Sequence, residues 1–187
     1  MNKRSERWLT LANCLTATRI LLIPAIMQAI SHRDWEQSTF LFACAALTDL
    51  FDGWAARWCS EPTVLGSYLD PIADKLLLLG TLSALSTVPT AVCAIPGWFV
   101  TLVFAKEAVL VGGIVLLLGL GNKLEINPTN LSKFATCAQF SLLLCALLGI
   151  PVDFLLGAST ILTCGALAQY AYVGARIFVK SMLRGQL

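Results

Sequence analysis

Four aspartates carry the chemistry that can be read first: Asp49 and Asp52, then Asp70 and Asp74. Their spacings are i, i+3 and i, i+4, so on helices each pair shares one face. Gly66 joins Asp70 and Asp74 on a single stripe. Four carboxylates brought into one small volume repel each other and stay protonated unless a cation sits among them. A pair of hard divalent cations meets that need, and an all-oxygen donor set suits Mg²⁺, Mn²⁺ or Ca²⁺. Zinc does not fit, because no histidine or thiolate pair accompanies the acids. Gly53 and Ala56 lie on or beside the Asp52 face, where small side chains let a backbone or a flat ligand approach closely. Arg57 follows at the water boundary, placed to hold an anionic ligand such as a diphosphate.

The elements that must position these residues follow from composition. The chain has 187 residues, 57% hydrophobic and 13% charged, with a mean hydropathy of +0.77. A soluble domain carries roughly 25% charged residues, so an ordinary water-soluble fold is excluded, and a disordered chain is excluded by the opposite bias. Charge-free runs cover 76–105, 134–152 and 154–175, and about 20 apolar residues suffice to cross a hydrocarbon core of roughly 30 Å. The pattern predicts an all-α polytopic integral membrane protein with six transmembrane helices, at about 11–30, 37–58, 66–88, 95–120, 129–150 and 153–178. It predicts one domain over 1–187, with 1–10 as an interfacial segment carrying Lys3, Arg4, Arg7 and Trp8 against anionic headgroups.

Lys3, Arg4 and Arg7 precede the first span, Arg57 and Lys123 flank even-numbered loops, and Lys180 and Arg184 close the tail, whereas the odd-numbered loops offer only Arg33. Both termini are therefore expected on the cytoplasmic side or its organellar equivalent. Arg19 interrupts what would be the apolar region of a signal peptide, so no removable targeting segment is expected. A net charge of +2 without a basic stripe gives no reason to expect a nucleic-acid partner. The seven cysteines form no C-x-x-C pair and read as small buried hydrophobes. His32, the only histidine, sits in a loop and receives no catalytic role.

An ionised side chain within a span costs about 2.5 to 3.5 kcal/mol even on the mildest insertion scale. Beyond the aspartates, Arg19, Lys75, Lys106, Glu107 and Lys133 fall within or at the edges of spans. Arg19, Lys106 and Lys133, from three different spans, could converge on an anionic acceptor. Lys106 and Glu107 also have a simpler reading as a local structural ion pair.

The stretch Asp49-Leu50-Phe51-Asp52-Gly53-Trp54-Ala55-Ala56-Arg57, with Gly66, Asp70 and Asp74 after it, fills every fixed position of D-x2-D-G-x2-A-R-x8-G-x3-D-x3-D. It resembles the signature of the CDP-alcohol phosphatidyltransferases. Eight fixed residues across two helices are far more specific than a lone glycine motif. Asn13, Leu15, Thr16 and Arg19 are similar to the family's N-x-L-T-x-x-R opening, and the six-helix count agrees.

The resemblance implies transfer of a phosphatidyl group from CDP-diacylglycerol to an alcohol, with release of CMP. It implies Asp49, Asp52, Asp70 and Asp74 as metal ligands for two Mg²⁺ or Mn²⁺ ions, and Asp74 also as the general base. Asp49, Asp52, Gly53, Ala56, Arg57 and Gly66 would line the CDP site. A homodimer in a bacterial or mitochondrial inner membrane, with its site toward the cytoplasm or matrix, is implied as well. Two subfamilies fit a glycerol-type acceptor: cardiolipin synthases, which use phosphatidylglycerol, and enzymes that use glycerol 3-phosphate. Ser132-Lys133 in the run from Pro128 to Gln139 is more similar to the former. So is the fourth helix, with Lys106 in place of an arginine and Ile114 where a second arginine commonly stands in the latter. The reading leans to phosphatidylglycerol. An ion-coupled transporter is a remote alternative, disfavoured because no internal repeat with broken helices is visible.

Overall fold

The computed structural model describes the backbone over 11–58, 64–88, 94–119 and 130–184, and side chains over 16–48, 72–88, 94–113 and 130–176. Six helices follow in order: α1 (Leu11–Ser31), α2 (Trp35–Trp58), α3 (Val64–Thr87), α4 (Gly97–Gly119), α5 (Asn130–Leu147) and α6 (Asp153–Arg184). No strand occurs among the described residues. The expected all-α class holds, and each expected span corresponds to one helix.

Local chemistry explains the boundaries. α1 ends in a Schellman motif, with Arg33 N–H donating to the Ile30 carbonyl and Asp34 N–H to that of Ala29. Arg33 takes the left-handed conformation this requires, at φ 60°. Asp34 then caps α2, its Oδ1 accepting from Gln37 N–H at 3.1 Å. That cap starts α2 at Trp35, two residues before the apolar periodicity does. α5 closes in the same manner on Gly149 at φ 71°, with Ile150 N–H bonded to the Cys145 carbonyl. Pro151 prevents continuation and Asp153 opens α6 with a carboxylate suited to the helix dipole.

The chain forms two compact units. In the first, residues 1–94 with 143–150, α1 packs against both α2 and α3. Ile26 and Ile30 of α1, Phe42 and Ala45 of α2, and Leu77, Leu78 and Leu82 of α3 are buried there. Gly80 of α3 lets α1 come close: a Cβ at that position would meet Ile23 Cγ2 at 3.1 Å. In the second unit, residues 95–142 with 151–187, α4 packs on α6, and Gly165 of α6 makes room for Leu131 of α5. Phe99, Val103, Ala135 and Ala166 are buried in it.

The helices α5 over Asn130–Leu147 and α6 over Asp153–Arg176 are long and apolar enough to cross a membrane, and Thr16–Ser31 forms a shorter apolar stretch. Only 22% of the apolar window in α6 is buried, and Phe154, Ile161 and Tyr172 on that helix stand exposed. A core helix of a soluble protein would hide such side chains; a helix in contact with lipid need not. Several hydroxyl side chains bond within their own helices: Ser83 to the Leu79 carbonyl, Thr101 to that of Gly97, and Thr160 to that of Leu156. This is how polar groups become compatible with an apolar surround.

Candidate functional site

The acid-bearing positions sit on consecutive helices. Asp49, Asp52, Gly53, Ala56 and Arg57 occupy the C-terminal part of α2, and Gly66, Asp70 and Asp74 the N-terminal part of α3, with 59–63 between them. The helical spacings read from the sequence therefore hold at the backbone. The side chains of Asp49, Asp52, Gly53, Ala56, Arg57, Gly66 and Asp70 lie outside the described residues. Among the described residues, no group of three or more His, Cys, Asp or Glu could hold a metal ion.

Asp74 is described, and its surroundings are specific. Its side chain keeps 30% exposure while Arg19 of α1, fully buried, brings Nη1 to its Oδ1 at 2.5 Å. The pair joins residues 55 positions apart, and it forms because α1 lies against α3. Burial of a guanidinium is tolerable only beside an anion and hydrogen-bond acceptors. Thr16, one turn earlier on α1, is buried as well. Asp74 itself offers the hard oxygen donors that a divalent cation takes, and its carboxylate is reachable from solvent.

The second unit holds a separate polar chain. Lys106 of α4 is fully buried; its Nζ lies 2.8 Å from Glu107 Oε1 and donates to Gln139 Oε1 at 3.4 Å. Gln139 of α5 donates from Nε2 to Thr163 Oγ1 of α6 at 2.8 Å. Thr163 donates in turn to the Ser159 carbonyl at 2.6 Å. One chain of hydrogen bonds thus ties α4, α5 and α6. The local ion pair of Lys106 with Glu107, open as a reading of the sequence, is present. Lys133 stands on the exposed side of α5, in different surroundings from the buried Lys106.

Of the three cations expected to share an acceptor, Arg19 meets Asp74, and Lys106 meets Glu107 and Gln139. Thr163 escaped the sequence reading. Its only signal was a hydroxyl inside a charge-free run, and hydroxyls of that kind usually bond their own helix. Replacing Gln139 by leucine keeps the volume but strips both Lys106 and Thr163 of a partner. We expect Gln139→Leu to lower stability by about 1 to 3 kcal/mol, read as a reduced thermal midpoint of the detergent-solubilised protein; an unchanged midpoint would show that the chain carries no stability.

α2 and α3 thus carry the acidic positions on consecutive helices, and α1 delivers Arg19 to Asp74. The family model described as CDP-alcohol phosphatidyltransferase matches residues 9–175, which spans both units. The chain belongs to the CDP-alcohol phosphatidyltransferase family. It is 34% identical over 155 residues to a CDP-diacylglycerol–glycerol-3-phosphate 3-phosphatidyltransferase of Cereibacter sphaeroides, covering 79% of this chain and 67% of the relative. The enzyme of the same name from Bacillus subtilis is 33% identical over 144 residues, 69% of this chain and 72% of that protein. A cardiolipin synthase (CMP-forming) of Rattus norvegicus is 46% identical over 70 residues, 37% of this chain but 23% of that protein. The match to the cardiolipin synthase thus spans about a quarter of that relative's length.

Proposed function

We propose that the protein is a membrane phosphatidyltransferase of anionic glycerophospholipid synthesis. It moves the phosphatidyl group of CDP-diacylglycerol to a glycerol-type alcohol and releases CMP. The observation that carries this reading is the eight-position acidic signature, laid on two consecutive helices inside a family match that runs from residue 9 to 175. The six helices are read as six spans of one domain, with both termini and the acidic ends of α2 and α3 on the cytoplasmic or matrix side, where a soluble nucleotide product can leave. The membrane is a bacterial or mitochondrial inner membrane, and the chain works as a homodimer.

In this reading Asp49, Asp52, Asp70 and Asp74 hold two divalent cations, Mg²⁺ or Mn²⁺. Bound there, the metal supplies neutralisation of diphosphate charge and of the leaving CMP. Gly53, Ala56 and Gly66 allow the cytidine diphosphate to approach the helix backbone, and Arg57 binds its phosphates. Asp74 accepts the proton of the acceptor hydroxyl. The oxygen so activated bonds to the phosphatidyl phosphorus, the bond from that phosphorus to the CMP oxygen breaks, and CMP departs with the electron pair. Holding the hydroxyl in line makes a weak carboxylate base sufficient.

The acceptor is proposed to be phosphatidylglycerol, with Lys106 and Lys133 as its cationic contacts. The 46% identity to a cardiolipin synthase supports this over 70 residues. So does the charge state of Lys106, which Glu107 at 2.8 Å already balances; a compensated lysine suits a phosphodiester monoanion better than a phosphomonoester dianion. Glycerol 3-phosphate is the second reading, favoured by the longer alignments with the bacterial enzymes. Supplying purified protein and CDP-diacylglycerol with each acceptor separately decides between them. We expect cardiolipin from phosphatidylglycerol; phosphatidylglycerophosphate as sole product would establish the second reading instead.

A further inference from the structure

We infer that Arg19 is a positioning residue that orients Asp74 and limits how tightly the acidic site holds its cation, and that it is not a contact for the acceptor. This rests on the reading of Asp74 as base and metal ligand. The guanidinium is fully buried, and Nη1 reaches Asp74 Oδ1 directly. Its charge is therefore spent on a carboxylate of the same protein. Asp74 is 30% exposed; without a partner its carboxylate would sample several rotamers. A planar donor fixed in the packed interface of α1 and α3 selects one of them.

The same contact has an electrostatic consequence. A permanent positive charge against a metal-binding carboxylate repels a dication at that carboxylate and competes for its oxygen. Arg19 thereby trades cation affinity for orientation. Removing it should separate the two effects: the site should hold metal more tightly and turn over more slowly. An arginine that contacts the acceptor would show neither change and would weaken acceptor binding alone.

The test uses the full chain in detergent micelles or liposomes, with Arg19→Gln, Asp74→Asn and the double variant. CMP release with varied acceptor gives kcat and KM, and titration of the metal-free protein with Mn²⁺ followed by electron paramagnetic resonance gives affinity independently of activity. For Arg19→Gln we expect kcat to fall about 100-fold, acceptor KM to stay within threefold, and Mn²⁺ to bind about tenfold tighter. In the Asp74→Asn background the same change should not lower turnover further. A rise of tenfold or more in acceptor KM with unchanged kcat and Mn²⁺ affinity overturns the inference, and so do losses of turnover that simply add in the double variant. Should Arg19→Gln not fold, Arg19→Lys keeps the charge without the planar donor: about a tenfold loss of kcat at wild-type Mn²⁺ affinity supports the inference, and wild-type kcat overturns it. Full turnover by Asp74→Asn alone would instead remove the assignment of Asp74 on which it rests.

Discussion

Asp74→Asn should lower CMP release from CDP-diacylglycerol by about 10³-fold or more. The substitution preserves shape and leaves a carbonyl oxygen for the Arg19 guanidinium, which approaches Oδ1 at 2.5 Å. It removes the negative charge and with it the ability to take a proton. General-base catalysis contributes about 10² to 10⁴ in rate, and a lost cation ligand adds to that. The fold should survive with reduced stability, because a buried guanidinium loses its ionic partner, and breaking such pairs outright costs about 3 to 5 kcal/mol. Circular dichroism and the thermal midpoint, measured beside the rate of CMP formation, separate a dead site from an unfolded chain. A folded Asp74→Asn protein retaining a tenth of normal turnover would place the base elsewhere.

Removal of divalent cations should abolish turnover altogether, and Mg²⁺ or Mn²⁺ should restore it. If Asp49, Asp52 and Asp70 gather with Asp74 as proposed, the four carboxylates cannot all stay ionised without compensating positive charge. Among the described side chains Arg19 supplies such a charge, at Asp74. A cation further stabilises negative charge developing on the leaving phosphate by several kcal/mol, so its loss is worth at least a hundredfold. Assay in excess chelator, followed by back-titration with each metal, reads this directly. Full activity in chelator would leave the acidic set without its proposed purpose.

The helices were legible because apolar composition and charge placement punctuate the chain sharply. The expected start of the first and sixth spans, at 11 and 153, coincides with α1 and α6. The start of α2 at Trp35 differs from the expected 37, because the Asp34 cap draws Trp35 and Glu36 into the helix. The third span, expected to begin at 66, opens at Val64, and α6 continues to Arg184 beyond the expected 178, because Lys180 and Arg184 end the apolar run without breaking the helix.

What the sequence determined by itself was the helical order, the paired spacing of the aspartates and the family they denote, since each depends on residues close along the chain. Period and spacing are local properties, and a helix converts them into a shared face without help from elsewhere. The long-range partners of the buried cations were settled only in three dimensions. Arg19 and Asp74 are brought together across 55 residues by the packing of α1 on α3. Lys106, Gln139 and Thr163 are brought together by three helices whose mutual rotation no local pattern encodes. A charge in an apolar helix announces that a partner must exist, because leaving it alone costs too much; which partner it finds is decided by how the helices pack.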